Sequence, residues 1–255
     1  MKIILRLAIF LILLPSQLQS RNDGETEITT EDGIEVFQNQ KYYLLKKNVE
    51  IQSDSFTLYG DIVKINYDKD LYDITEIFAE GNVSLISKEY GINAKGKKID
   101  IQISTEQIKV EGKNSKLILE DVDMYSDGII IVKNIEGSFI VIGKNSRMVA
   151  DDIDIQGENI DGTFTNDAGK RIVENINVKD KQISNIKTDD TNMFAKRAVY
   201  NKGTSIIDLY ENVKIIRGAE VITGDYGKLD TKNKSYKVKS NETNKVKVLI
   251  TEENE

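Results

Sequence analysis

The sequence predicts an all-β protein built from stacked strand pairs, and three features carry that prediction. Apolar and polar residues alternate with period two along most of the chain, as strands with one buried face require. Ile, Val and Thr dominate these stretches, which suits a half-buried pleated surface. The stretches also echo one another at near-constant spacing, the mark of a repeat architecture.

The first twenty residues follow another pattern. Lys2 and Arg6 precede Leu7-Ala8-Ile9-Phe10-Leu11-Ile12-Leu13-Leu14, and then come Pro15 and the polar run Ser16-Gln17-Leu18-Gln19-Ser20. This is a positive segment, a short apolar segment, a helix breaker and a small residue, the layout of a secretory signal peptide cleaved after Ser20. Spanning a bilayer takes ~20 apolar residues; the run Ile3 to Leu14 is shorter and contains Arg6, so an uncleaved anchor is the weaker alternative. No Cys follows it, which excludes a bacterial lipoprotein anchor. Residues 21–255 are then read as one extended domain.

Composition removes whole classes of chemistry. The 255 residues include 35 Lys and Arg against 42 Asp and Glu, a net charge of −7, with no His, Cys or Trp and one Pro. Lys2 and Arg6 leave with the leader and no acid does, so the remainder carries a larger negative charge. Without His or Cys there is no Ser-His-Asp triad, thiol nucleophile, His-based zinc site or haem His ligand, and no disulfide can brace the fold. An acidic chain is a poor match to nucleic acid, whose binding rests on clustered Lys and Arg. No cofactor, metal or catalytic group is expected, and a binding or structural protein leads over an enzyme.

Taken in order, the clearest strands are Val63–Tyr67, Val83–Leu85, Ile99–Ile103, Ile153–Ile155, Val213–Ile215 and Tyr236–Val238. Turn signals separate them: Ser53-Asp54, Glu80-Gly81-Asn82, Ser126-Asp127-Gly128, Asp161-Gly162, Asn166-Asp167 and Arg217-Gly218. The best helical candidate, Arg171 to Lys187, is interrupted by Asn and Asp and reads as two short strands.

The repeat is visible letter by letter. Gly112-Lys113-Asn114-Ser115-Lys116-Leu117 returns as Gly143-Lys144-Asn145-Ser146-Arg147-Met148, and Ala79-Glu80-Gly81-Asn82 is echoed by Val110-Glu111-Gly112-Lys113. A second mark, a small residue followed by charge, recurs at Gly60-Asp61, Gly96-Lys97, Ala150-Asp151 and Gly224-Asp225. Units of this size cannot bury their own apolar face and must stack, which lines up the inward positions as one apolar seam.

Three segments stand out together: Lys47-Asn48-Val49-Glu50-Ile51, Ala79-Glu80-Gly81-Asn82-Val83-Ser84-Leu85 and Tyr210-Glu211-Asn212-Val213-Lys214-Ile215. Each is followed by the small-plus-charge mark. The pattern resembles that of the LptA, or OstA, family of periplasmic lipopolysaccharide-transport proteins, whose repeat reads A-x-G-N-V-x-hydrophobic, then G/A-D, then Y-D. The resemblance is strongest over 28–105 and 190–240 and thinner across 110–187. Two departures accompany it: the chain is long for the family, and Lys47 and Glu211 stand where the middle copy has Gly81.

The resemblance implies an elongated open β-jellyroll, two antiparallel sheets folded like a taco over an apolar interior. It also implies a bridge between inner-membrane and outer-membrane transport components, with the acyl chains of lipid A held between the sheets. By alternation the lining would comprise Val49, Ile51, Phe56, Leu58, Val63, Ile65, Val83, Leu85, Ile92, Ala94, Ile99, Ile101, Val213, Ile215, Ile222 and Leu229. The same residues would equally make a closed core. Edge strands at the two ends, Ile34-Glu35-Val36-Phe37 and Val246-Lys247-Val248-Leu249-Ile250, are candidates for head-to-tail self-association; Lys245 and Lys247 would alternatively guard the edge against aggregation. Two rival readings stand beside this one. The first is a polymerising envelope scaffold without lipid. The second is a β-solenoid polysaccharide-processing enzyme using carboxylates such as Asp121 and Asp123, or Asp151, Asp152 and Asp154.

Overall fold

A computed structural model describes residues 24–69, 73–120, 122–150, 153–167, 170–241 and 244–251. The leader, Asp121, Asp151 and Asp152 lie outside the described residues. Antiparallel strands make up nearly all of the rest, with a short 3-10 turn at Gln38–Gln40.

Long strands form the two flanks. The first flank holds β1 (Glu27–Thr29), β2 (Ile34–Phe37), β3 (Tyr42–Gln52), β4 (Thr57–Tyr67), β5 (Ile74–Ser87) and β6 (Ile92–Gln102). The last holds β15 (Lys170–Lys187), β16 (Asn192–Asn201), β17 (Ile206–Arg217), β18 (Glu220–Asp230), β19 (Ser235–Lys239) and β20 (Lys247–Ile250). Between them lie short strands: β7 (Gln107–Glu111), β8 (Ser115–Leu119), β9 (Val122–Ser126), β10 (Ile129–Lys133), β11 (Ser138–Ile142), β12 (Arg147–Ala150), β13 (Ile153–Gln156) and β14 (Asn159–Asp167).

Pairing sorts these strands into two facing sheets joined along one side. Sheet I runs from β2 through one half of each of β3 to β6, then β7, β10, β11 and β14, and on through halves of β15 to β18 to β19. Sheet II runs from β1 through the other halves of β3 to β6, then β8, β9, β12 and β13, and through the remaining halves of β15 to β18 to β20. Every long strand thus belongs to both sheets. The joined side is a spine where the chain passes from sheet to sheet; the opposite side, where hairpins reverse the chain, is a mouth. This is the expected two-sheet, taco-like jellyroll.

In the flanks the crossing is a kink inside a continuous strand. Register breaks between Lys46 and Val49, Glu80 and Val83, and Tyr210 and Val213. The residues skipped there have left-handed backbones: Lys47 at φ 63° and Asn48 at 46°, Gly81 at 84° and Asn82 at 47°, Glu211 at 64° and Asn212 at 55°. The three copies of the sequence motif therefore share one corner geometry, although two lack the glycine. Glu80-Gly81-Asn82, expected as a turn between strands, is instead a bend within β5, because the ladder resumes on the other sheet without a reversal. At Gly60, Gly96 and Gly224 the second mark occupies the return crossings, whereas Ala150 ends β12 at the mouth; at Gly96 and Gly224 glycine answers to space. A Cβ on Gly224 would stand 2.6 Å from Val238 Cγ1 and 2.7 Å from the Lys239 carbonyl.

Two other expectations are corrected. Arg171 to Lys187 forms one strand, with its pairing to β16 broken between Lys179 and Ser184. The Asp180 carboxylate accepts the Gln182 and Ile183 amides, which fixes the bend without ending the strand. Asn166-Asp167 ends β14 at its reversal into β15, whereas Asp161-Gly162 lies inside β14 rather than at a turn. Gly162 is needed there because Phe139 and the Asn175 carbonyl occupy the space a Cβ would fill.

Candidate functional site

The candidate site is the interior between the sheets. Val49, Ile51, Leu58, Val83, Leu85, Ala94, Val213, Ile215 and Ile222 enter it from sheet II, and Val63, Ile65, Ile99 and Leu229 from sheet I; all are buried, none more than 6% exposed. Phe56, Ile92 and Ile101 are half-buried and pack against the same core. All of these except Ile222 join one apolar cluster that continues without interruption through the short-strand middle. Val110, Leu117, Met124, Ile130, Val141, Met148 and Ile160 supply it there, each essentially inaccessible. Sequence reasoning left these out of the lining, though Ser115-Lys116-Leu117-Ile118-Leu119 and Val122-Asp123-Met124 carry the same alternation.

Among the described residues the seam is closely packed. At the middle of the mouth, Leu119, Val122 and Met124 of sheet II face Val132, Phe139, Phe164, Arg171 and Val173 of sheet I around ≈ 10 Å³ of free space. That volume holds about one water at most. An acyl chain would enter only if the sheets moved apart, exchanging side-chain contacts for contacts with the chain.

At the spine, the near-identical repeat has a structural meaning. Gly112 and Gly143 adopt φ of 121° and 135°, and Asn114 and Asn145 are left-handed at 56° and 55°. The hydroxyls of Ser115 and Ser146 then donate back to the carbonyls of Gly112 (2.7 Å) and Gly143 (2.9 Å). Ser126, in the return strand, donates to the Ile142 carbonyl and lies 3.0 Å from the Ser146 hydroxyl. One carboxylate joins the two copies: Asp127 accepts the Asn114 amide at 2.8 Å and the Asn145 side chain at 2.6 Å. Those two hydrogen bonds, the amide of Asn114 first, hold its carboxyl below the usual carboxylate range.

The last flank closes its mouth differently. Alternation past Val213 and Ile215 brings Arg217 to the inner rim of sheet II, and alternation back from Ile222 brings Glu220 beside it. The Arg217 guanidinium donates to the Asp190 carboxylate at 2.7 Å and, across the mouth, to the Lys234 carbonyl of sheet I at 2.9 Å. The Tyr236 hydroxyl, also on sheet I, donates to the Glu220 carboxylate. That bond raises the Tyr236 phenol above its ordinary value, with burial adding to it. The Thr191 hydroxyl, with Arg217 beside it, lowers the Asp190 carboxyl against the opposing effect of burial. Behind these groups a cleft of ≈ 90 Å³ runs from Thr188 and Asp189 to Leu229.

The carboxylates proposed for glycan chemistry are spread out. Asp123 and Asp154 both stand opposite Val149, one on each neighbouring strand, on the outer face of sheet II. Two strand spacings, about 10 Å, therefore separate them. Asp154 is held by the Nε and Nη2 of Arg147 at 2.8 and 2.7 Å, and Asp123 accepts the Tyr125 hydroxyl. Among the described residues no group of three or more acidic side chains is arranged to hold a metal ion. The two expected edges are edge strands: β2 pairs with β3 and β20 with β18, and Ile34, Val36, Val248, Leu249 and Ile250 stand between 48% and 74% exposed.

No family model matches the chain, and no curated protein matches it in sequence. Among solved structures, the crystal structure of LptH, the LptA homologous periplasmic component of the conserved lipopolysaccharide transport device from Pseudomonas aeruginosa, aligns over 89% of this chain and 96% of its own. The identity is 10% and the TM-score 0.24, too loose a superposition to carry functional weight.

Proposed function

We propose that this chain is a periplasmic bridge protein, exported by the leader at residues 1–20, that carries lipopolysaccharide acyl chains between its two sheets. In this reading it joins inner-membrane and outer-membrane transport components, and copies of it align through the terminal edge strands. One observation carries the reading: a single apolar seam runs the length of two sheets that are covalently joined on the spine side only. Such a body can part along its mouth while every ladder stays intact. Each acyl methylene buried there is worth ~0.8 kcal/mol, so a few chains would offset the side-chain contacts given up. The corner motif resembling that of the lipopolysaccharide-transport family supports it further, since the motif forms the hinge line at 47–48, 81–82 and 211–212. No catalytic group is required.

The closely packed seam favours a second reading, a lipid-free scaffold that polymerises through its edges. Lipid analysis separates the two. The full chain with its leader is expressed in a Gram-negative host and purified from the periplasm, and extracted lipid is identified by mass spectrometry. The control carries Val83→Asp and Ile101→Asp, which put charge into the seam at one deep and one shallow position. Lipopolysaccharide on the parent and none on a folded control is the expected result. A folded, lipid-free parent that still forms chains would replace the transport reading with the scaffold.

A further inference from the structure

We infer that Arg217, Asp190, Glu220 and Tyr236, with the Lys234 carbonyl, form a latch that holds the mouth of the last flank shut and sets where the two sheets first part. The inference rests on the reading of the interior as a space that opens.

The argument begins with position. Inward-facing places at the mouth elsewhere are mainly apolar: Phe56 and Ile74 on the first flank and Leu119, Val122 and Phe164 in the middle all pack on the core, with Ser87 and Arg171 as polar exceptions. On the last flank the corresponding rim is charged and hydroxylated. Two of the bonds cross the gap, Arg217 of sheet II to the Lys234 carbonyl of sheet I and Tyr236 of sheet I to Glu220 of sheet II, while the Arg217–Asp190 pair lies within sheet II and holds the guanidinium in place. Among the described residues no covalent link joins the sheets on this side, so these hydrogen bonds resist separation directly. The Lys234 carbonyl is a fixed target, because Lys234 is held left-handed at φ 52° in a tight hairpin whose Asn233 amide donates to Asp230. Asp190 in turn orients Arg217 from the adjacent turn of sheet II.

The chemistry suits a catch more than a permanent staple. Arg217 is 31% exposed and Asp190 44%, and charge pairs with that much water around them are weak and screened by salt. Apolar contact between sheets has no such dependence and strengthens as salt rises. Salt, or an acidic or basic group that competes for Arg217 or Asp190, therefore acts on the closure of the last flank through the pair that positions the guanidinium for the Lys234 carbonyl. The cleft behind the latch ends on Leu229, so release exposes the apolar seam at that point.

The chain has no cysteine, so a pair of introduced thiols reports one distance without background. Ala219→Cys on the sheet II hairpin and Lys232→Cys on the sheet I hairpin, both exposed, are spin-labelled in the full chain and measured by pulsed dipolar spectroscopy. The parent should give one narrow distance in low salt. Arg217→Ala with Tyr236→Phe should lengthen it beyond the width of the parent distribution, and 1 M salt should shift the parent the same way. Lys237→Ala, on the outer face of β19, should leave it unchanged. An unchanged distance in a variant with native circular dichroism overturns the latch. Should the double variant lose its fold, Tyr236→Phe alone, which deletes one hydroxyl, carries the test by the same criterion. Uptake of a fluorescent acyl probe is read in parallel. Widening without uptake keeps the latch and removes the lipid reading, whereas uptake without widening removes the latch and keeps the lipid reading.

Discussion

The flanks and the middle of this molecule make the same crossing from sheet I to sheet II by different means. In β3, β5 and β17 a continuous strand bends at two successive left-handed residues, with backbone ladders on both sides of the bend, whereas β15 bends where the Asp180 carboxylate accepts two amides. In the middle the strand ends, the chain turns through Gly112 to Asn114 or Gly143 to Asn145, and side chains take over: Ser115, Ser126, Ser146 and Asp127 satisfy groups the ladder leaves behind. The comparison teaches that the repeat conserves a position for the corner while leaving open what holds it. It also separates corners that depend on backbone, in β3, β5 and β17, from corners in the middle that depend on a few hydroxyls and the Asp127 carboxylate.

The largest expected effect tests whether the middle is as firmly cored as the flanks. Leu117→Ala removes a fully buried side chain at the centre of the short-strand region and should cost about 2–5 kcal/mol, as should Leu58→Ala in the first flank. Chemical denaturation of both gives the comparison. A cost well under the lower figure at 117 alone would mean that the middle is loosely packed. Next comes Gly143→Ala. Its Cβ would stand 2.8 Å from the Gly128 amide nitrogen at φ 135°, with no flexible neighbour to give way, and overpacking of that kind costs about 1–3 kcal/mol. Ser146→Ala follows at about 1–2 kcal/mol, because the Gly143 carbonyl and the Ser126 hydroxyl each lose a buried partner. If either corner variant is neutral, the side-chain account of the middle fails.

Much of this division was legible in the sequence. Alternation gave the strands and the inward residues, and the near-identical segments at 112–117 and 143–148 marked the corners before their geometry was known. Three things were hidden. Bends such as Gly81-Asn82 carry the same letters as reversals, since both need left-handed backbone, so a kink within β5 was read as a turn. The glycine inside β14 reads as a turn for the related reason that close approach by Phe139 and a demand for positive φ both select glycine. The rim residues Arg217 and Glu220 continue the period of Val213, Ile215 and Ile222, but a search for apolar lining stops at the first charge. Of the candidate lining, the places were readable by alternation; whether the seam is filled depends on how two sheets distant in sequence settle together, which no local pattern encodes.

Asp127 gives the comparison a pH axis. Its carboxyl titrates below the ordinary value of about 3.8 in the folded chain because the Asn114 amide and the Asn145 side chain favour the ionised form. A group depressed by folding contributes stability that is present above its unfolded pKa and is lost as pH falls through the folded one. The parent should therefore lose part of its thermal stability below about pH 4, and Asp127→Asn, which has no carboxylate to protonate, should lose less over the same interval. Melting curves at pH 7 and pH 3 for the two proteins measure the difference. Equal losses would mean that the carboxylate does not tie the two corners together.

The smallest effect has the opposite sign and concerns the flanks. Lys47 and Glu211 hold the left-handed position that Gly81 fills in the second copy, at φ 63° and 64°. A side chain in that region costs roughly 1–2 kcal/mol, while glycine brings an unfolded-state entropy penalty of roughly 0.5–1 kcal/mol. Lys47→Gly and Glu211→Gly should therefore stabilise the chain by up to about 1 kcal/mol each, read as a small rise in Tm. The Glu211 variant also loses its pairing with Lys196 at 3.7 Å, but Glu211 is 69% exposed, and a pair of that kind contributes little. Lys47 has no such complication, so it is the cleaner site. The reverse change, Gly81→Lys, should destabilise by more than the strain alone, because the new Cβ collides with the Asp61 side chain on the neighbouring return crossing. If Lys47→Gly instead destabilised the chain, the first corner would owe its shape to the Lys47 side chain, and the equivalence of the three flank corners would be lost.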